Sequence, residues 1–290
     1  MVDVQLPIDD QRDALATLLP FAVRDPAIGY YQRRPTPGPE EALVTRFLGQ
    51  LCAGPWLAGR HVALFREPQI MSGYPDIVLA LYDPACCVGW PPVRYALTAH
   101  HCKLLAFLAH HTAPVDLATL DRLLGLRGRE AARRMAALVE SGLVEEVVTW
   151  GGTQWALRPL AGLLDIRRLI AIEAKLSASR EVLFQASANR WFAGESAILV
   201  PHVPRSDERC AELERWGIGC WVSTPAGCTL WRAPESREEI ATRYLTWRFQ
   251  QWIGCRLRDL FDAGQQVPFA SALGQEVGVP NTASYAEREH

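Results

Sequence analysis

Residues 170–177 read IAIEAKLS, an acid and a lysine two positions apart in an otherwise apolar run. Side chains on a β-strand alternate faces, so Glu173 and Lys175 project to one side and Ile172, Ala174 and Leu176 to the other. A half-buried strand with opposite charges on one face needs something for those charges to meet. The lysine also stands out in this chain. Of its 30 basic residues only Lys103 and Lys175 are lysine, and the rest are arginine. An ammonium is a compact point charge whose pKa moves readily, whereas a guanidinium is a broad, permanently charged fork. Chance also produces an acid two before a lysine, so the pair needs its surroundings to be read.

The 290 residues suffice for one large domain or two ordinary ones. A 49% hydrophobic and 21% charged composition is that of a soluble globular chain. The net charge of −2 gives no global attraction to nucleic acid, so any such surface must be local. The eight cysteines (52, 86, 87, 102, 210, 220, 228, 255) form no CxxC pair, which argues against a zinc ribbon or finger. They read as small buried hydrophobes in a reducing cytoplasm. The N-terminal stretch MVDVQLPIDDQRDALATLLP has acids and no basic segment, so no signal peptide is expected. No apolar run approaches the ~18 residues of a membrane helix.

Outward from the central stretch, Gln11 to Leu19 has a short helical pattern, and Pro39 opens a helix, PEEALVTRFLGQL, with Leu43, Phe47 and Leu51 on one face. Two strands follow, 61–66 and 75–82. After the linker DPACCVGWPPVRY (83–95) the character changes. A helix from Thr98, a short one in VDLATLDRLLGL and a third from Gly128 to Ser141, closed by Gly142, lead into a hairpin, LVEEVVTW then TQWALRP. A short helical segment, Leu160 to Leu164, precedes IAIEAKLS. Beyond it come the helix REVLFQASANRWFAG, the strand SAILVP, a helix opened by Ser206, the strands GIGCWVST and CTLWRA, and a long helix from about Ser236 to Phe261. The tail after Gln265 has few anchors.

Three helices followed by a β-hairpin resemble a winged helix-turn-helix over 93–160, including the passage LVESGLVEEV into the wing. With that segment set aside, the order helix, strand, strand, strand with ExK, helix, strand resembles the PD-(D/E)xK superfamily, whose members have the restriction-endonuclease-like fold. Pro75-Asp76 and Glu173-Ala174-Lys175 carry the likeness. The expected architecture is therefore α/β, a restriction-endonuclease-like mixed sheet flanked by helices. It is built from 1–92 and 161–290, with an inserted winged-helix domain over 93–160. Pro91, Pro92 and Pro159 bracket the insertion.

The resemblance implies a catalytic site of Asp76, Glu173 and Lys175, with Mg²⁺ (or Mn²⁺) held by Asp76, Glu173 and Ala174. Carboxylates on adjacent strands suit a hard cation, which acidifies a water and neutralises phosphate. A lysine on the same face orients that water or stabilises developing charge. Asp76 after Gly73-Tyr74-Pro75 also reads as a turn residue. The family often adds a glutamate in the first helix, for which Glu40 or Glu41 fits, with Glu41 as the catalytic candidate. A Gln in the helix after ExK is matched by Gln185. Asn189 stands where some members carry tyrosine. Arg190 suits a phosphate contact or plain surface.

Residues 122 to 134 carry Arg122, Arg127, Arg129, Arg133 and Arg134 against Glu130, the densest basic footprint in the chain. The third helix of such a motif enters the major groove, so Arg127, Arg129, Arg133 and Arg134 are candidate DNA contacts. A solvated helix or a protein interface gives the same pattern. His100, His101, His110 and His111 pair at the two ends of the first helix of the insert, as a metal site or as solvated termini. The reading is a Mg²⁺-dependent DNA endonuclease of restriction, phage defence or mobile-element processing, cytoplasmic and unattached to membrane. Its partners are DNA and a homodimer or larger protein assembly. The alternative is a catalytically silent DNA-binding regulator or scaffold with the same fold.

Overall fold

The computed structural model describes residues 17–263, apart from 22–23, 72, 84–89, 112, 151, 161–162 and 237–240. Its centre is a seven-stranded mixed sheet. The strands are β1 (Thr17–Pro20), β4 (His61–Arg66), β5 (Ile77–Tyr82), β8 (Ile166–Ala174), β9 (Glu195–Val200), β10 (Gly219–Thr224) and β11 (Gly227–Arg232), in that spatial order. β2 (Arg24–Asp25) and β3 (Tyr30–Tyr31) form a separate small hairpin. The central pairs β4–β5 and β5–β8 are antiparallel, and β8–β9 and β9–β10 are parallel. Every residue of β5 and β9 is buried, as expected of strands covered on both faces.

Helix α1 (Pro39–Ala53) covers one face. Leu43, Phe47 and Leu51 pack against Val62, Leu64, Leu79, Ile172 and Trp221. Full burial of such side chains stabilises by roughly 1.5–3 kcal/mol each. Pro39 at its first turn and Glu40 and Glu41 in that turn suit a helix start. The opposite face carries α6 (Arg180–Asn189), α7 (Asp207–Arg215) and α8 (Tyr244–Asp262). The parallel strands β8, β9 and β10 are joined through α6 and α7, the crossover that parallel pairing requires.

Between β5 and β8 the chain leaves the sheet. It forms α2 (Pro92–Tyr95), α3 (Ala99–His110), α4 (Leu117–Leu124), α5 (Gly128–Glu140) and a hairpin of β6 (Val144–Thr149) and β7 (Gly152–Leu157). Asp116 caps α4 by accepting from the Thr119 N–H at 2.8 Å. Gly142, at φ +77, ends α5 in the left-handed conformation that a side chain disfavours. Leu104, Leu105, Leu108, Leu120, Met135 and Leu138 are buried, and Leu124 is 38% exposed at the end of its short helix.

The core of this segment does not close on itself. Leu105 and Leu108 belong to one continuous cluster with Phe249, Trp252 and Ile253 of α8. Helix α8 also holds both junctions of the segment. Gln251 Nε2 donates to Arg94 O at 2.8 Å, and Gln250 Nε2 donates to Leu163 O at 2.6 Å. The Asp165 N–H donates to Gln250 Oε1 at 2.8 Å. Gly254 lies where a Cβ would come within 2.2 Å of the Trp90 ring, so only glycine permits this approach.

Two expectations are corrected. The helical pattern of Gln11–Leu19 gives way, over Thr17–Pro20, to a strand paired in parallel with β4, because sheet pairing overrides a weak local period. The last helix starts at Tyr244 rather than Ser236, and residues 237–240 lie outside the described residues. The strand carrying ExK is followed through Lys175 by one more backbone bond, the Lys175 N–H donating to Leu199 O at 3.0 Å, and Glu173 and Lys175 line the same cavity. The segment 11–16, the linker residues 84–89 with Cys86 and Cys87, part of 160–164 and the tail after Gln265 also lie outside the described residues. Cys102, Cys220 and Cys255 are buried, and Cys52, Cys210 and Cys228 are half-buried.

Candidate active site

β5 and β8 are direct antiparallel neighbours, with Ile77 opposite Ile172. Asp76 precedes Ile77 and Glu173 follows Ile172, so the ladder brings the two acids together at the end of β5. Asp76 Oδ2 accepts from the Ala174 N–H at 2.7 Å, across 98 positions of sequence. Asn189 Nδ2 donates to Glu173 Oε1 at 2.6 Å. Ser179 caps α6 through the Val182 N–H, and the i,i+4 spacing puts Gln185 and Asn189 on one face of that helix. A cavity of about 480 Å³ is lined by Asp76, Glu173, Lys175, Gln185 and Asn189.

Glu41 is the first-helix acid expected at the site, and the structure places its neighbour Glu40 on Lys175. Lys175 Nζ donates to Glu40 Oε2 at 2.8 Å. Glu41 instead accepts from Thr45 Oγ1 and pairs with Arg66 at 3.2 Å, because it faces along α1 toward β4. Glu41 and Glu40 line an adjoining cavity of about 160 Å³ together with Asp76 and Glu67.

Glu67 and Arg33 are site neighbours that sequence reasoning misses. Glu67 is a buried non-glycine residue at φ +41, a conformation that costs about 1–2 kcal/mol. It is held there by the Arg33 N–H to its carbonyl at 3.0 Å, by its own N–H to Asp76 O at 3.0 Å, and by an ion pair with Arg33. The sequence signal is faint: an acid in REP, at the end of a strand. Asn189, which in the sequence stands out only as a departure from tyrosine, is the hydrogen-bond donor to Glu173.

The electrostatics are those of two acids forced together out of water. Burial raises the Glu173 carboxyl to about 8, with the Asp76 charge acting in the same direction and the Asn189 hydrogen bond opposing both. Burial likewise raises Asp76, against the stabilising Ala174 N–H. The Glu40 hydrogen bond raises Lys175, keeping it protonated. Among the described residues no group of three or more His, Cys, Asp and Glu could hold a metal ion. Two carboxylates are present, and Gln185 Oε1, lining the same cavity, is buried without a donor among the described residues. Hard oxygens in this number suit Mg²⁺ or Mn²⁺, since Mg²⁺ takes one or two protein carboxylates and keeps several waters.

The basic footprint on the insert is smaller than its sequence suggests. Arg127 pairs with Asp121 at 3.2 Å, and Arg134 pairs with Glu130 and is largely covered. Arg129 and Arg133 lie on α5 and make no ion pair among the described residues. Of the histidines, His101 Nδ1 accepts from the Thr98 N–H at 3.0 Å and His111 Nδ1 lies 2.8 Å from Phe107 O, so both close helix ends. Burial, with Arg134, His100 and Arg133 nearby, lowers His101 to about 4. Arg190 donates to Trp216 O and pairs with Glu235 at 3.5 Å.

The chain matches no protein-family model, no curated protein and no solved structure.

Proposed function

We propose that this chain is a metal-dependent nuclease that hydrolyses phosphodiester bonds in DNA, built on a restriction-endonuclease-like core with an inserted winged helix. The observation that carries the reading is the meeting of Asp76 with Glu173 and Ala174 across adjacent strands. A purely structural role gives no reason to bury two carboxylates against each other, since an unpaired buried charge costs several kcal/mol. Asp76 and Glu173, with Gln185 Oε1, would hold Mg²⁺ or Mn²⁺, which when bound supplies charge neutralisation at the phosphate and acidifies a water.

The chain's own groups do the rest. Asn189 fixes the orientation of the Glu173 carboxylate, and the Ala174 N–H fixes that of Asp76. Lys175, protonated and partly exposed at the cavity, supplies positive charge to the phosphate oxygens as bond order shifts to the leaving oxygen. Its partner Glu40 keeps the ammonium beside the site. Arg129 and Arg133 give the insert a small cationic face for a phosphate backbone.

A second reading, a DNA-binding scaffold without turnover, draws on Lys175 being tied to Glu40 and on the two-carboxylate donor set. Incubating supercoiled plasmid and labelled oligonucleotides with Mg²⁺ or Mn²⁺, against EDTA, decides between them. The nuclease reading expects metal-dependent nicking that disappears in Asp76→Asn and Glu173→Gln proteins of unchanged circular dichroism. Near wild-type cleavage by either variant overturns the site, and absence of cleavage with both metals favours the scaffold.

A further inference from the structure

The rim of the cavity carries aromatic surface that the chemistry above does not use. Phe184 on α6, next to Gln185, lines the cavity and is 70% exposed. Among the described residues it meets no other ring. One turn on, Ala188 lines the same cavity with a side chain too small to cover it. A separate wall comes from the turn before β5, where Tyr74 is 38% exposed. The Arg33 guanidinium sits 5.2 Å from the centre of the Tyr74 ring, within cation–π range. Arg33 also lines the cavity and is anchored by Glu67.

A single exposed aromatic side chain is ordinary surface; what distinguishes Phe184 is that it lines one cavity with Tyr74, Arg33 and the two carboxylates. Paired bases inside a duplex are already stacked on both faces and offer no free surface to it. An unpaired base does, and aromatic side chains that stack on single-stranded bases are the recurrent platform for such recognition. The geometry points to an unpaired nucleotide of single-stranded or splayed DNA as the species this site accepts. Its base would stack on Phe184, with the Tyr74–Arg33 pair as the second wall, and its phosphate would lie over the carboxylates. This rests on the proposed phosphodiester chemistry only for the position of the phosphate. The cavity of about 480 Å³ falls within the range of about 300–1,000 Å³ typical of small-ligand sites.

The test is fluorescence anisotropy with the full chain in Ca²⁺, using a fluorescein-labelled oligothymidylate and a blunt duplex of equal length. Phe184→Ala is expected to weaken oligothymidylate binding about ten- to a hundred-fold, the usual loss for one stacked base. Phe184→Trp should retain it, and duplex binding should respond to neither change. Because Phe184 is mostly exposed, its removal leaves the fold intact. Unchanged oligothymidylate affinity in Phe184→Ala, or equal losses for both probes, overturns the proposal. Loss of oligothymidylate binding in a protein that cleaves nothing would leave the stacking site standing and sink the nuclease reading. Cleavage of intact duplex at full rate by Phe184→Ala, with its oligothymidylate affinity unchanged, would do the reverse.

Discussion

Replacing Glu173 by glutamine separates what the site costs from what it does. Burial and the neighbouring Asp76 raise this carboxyl from 4.5 to about 8. The folded chain therefore keeps a proton that the unfolded chain has released between those values. Since the native state binds more protons across that window, metal-free stability falls as pH rises through it. Above about pH 8 the wild-type protein carries a buried, ionised carboxylate beside another. Glutamine has the same shape, can still accept from Asn189 and has no charge to desolvate. At about 1.4 kcal/mol for each tenfold change in the proton equilibrium, the rise sets a ceiling of about 5 kcal/mol on the gain. Relaxation and water entry reduce this to about 2–3 kcal/mol, using the higher effective dielectric that buried sites show. For a chain of 290 residues that corresponds to about 3–5 °C in Tm. Thermal unfolding in EDTA at pH 8.5 should show that increase for Glu173→Gln, and at pH 5 the two proteins should nearly coincide. A variant no more stable than wild type at pH 8.5, or equally stabilised at both pH values, would refute the reasoning.

Mn²⁺ should raise the wild-type Tm more at pH 8 than at pH 6, because binding must displace the retained proton, and Glu173→Gln should lose that response. Lys175→Arg should lose most cleavage in the plasmid assay, since a guanidinium fork does not replace a compact ammonium, and full activity would show that the identity of the cation is immaterial. Gln251→Ala should lower stability by about 1–3 kcal/mol in urea unfolding, by leaving the Arg94 carbonyl at the insert's junction without this donor. Neutralising Arg129 and Arg133 should reduce the slope of log affinity against log salt for duplex DNA by about one for each phosphate they neutralise, and an unchanged slope would assign that face to a protein.

The sheet core was legible because its strands are strongly patterned. IAIEAKLS, HVALFREPQI and YPDIVLALYD each predict a strand, and β8, β4 and β5 occupy them. The pairing of Asp76 with the ExK strand was readable only through a family resemblance, since no local rule links residues so far apart. Which first-helix glutamate reaches Lys175 was not readable, because Glu40 and Glu41 are adjacent and only the direction of α1 relative to the sheet end separates them. Glu67 and Arg33 were hidden because a strained backbone leaves no mark in composition. The arginine cluster is overcounted by sequence because Asp121 and Glu130 reach back to Arg127 and Arg134, ion pairs that a linear charge sum ignores. That the chain leaves the sheet between β5 and β8 was signalled by its prolines and change of period. The insert's packing against α8 was not, because the apolar stripe of α3 looks the same whether it meets its own helices or another part of the chain.

Anomalous scattering from crystals grown with Mn²⁺ tests the central claim most directly. A metal peak within coordination distance of carboxylate oxygens of both Asp76 and Glu173, lost in Glu173→Gln, is the predicted result. Electron density for the whole cavity with no anomalous peak between those two acids at saturating Mn²⁺ would contradict it.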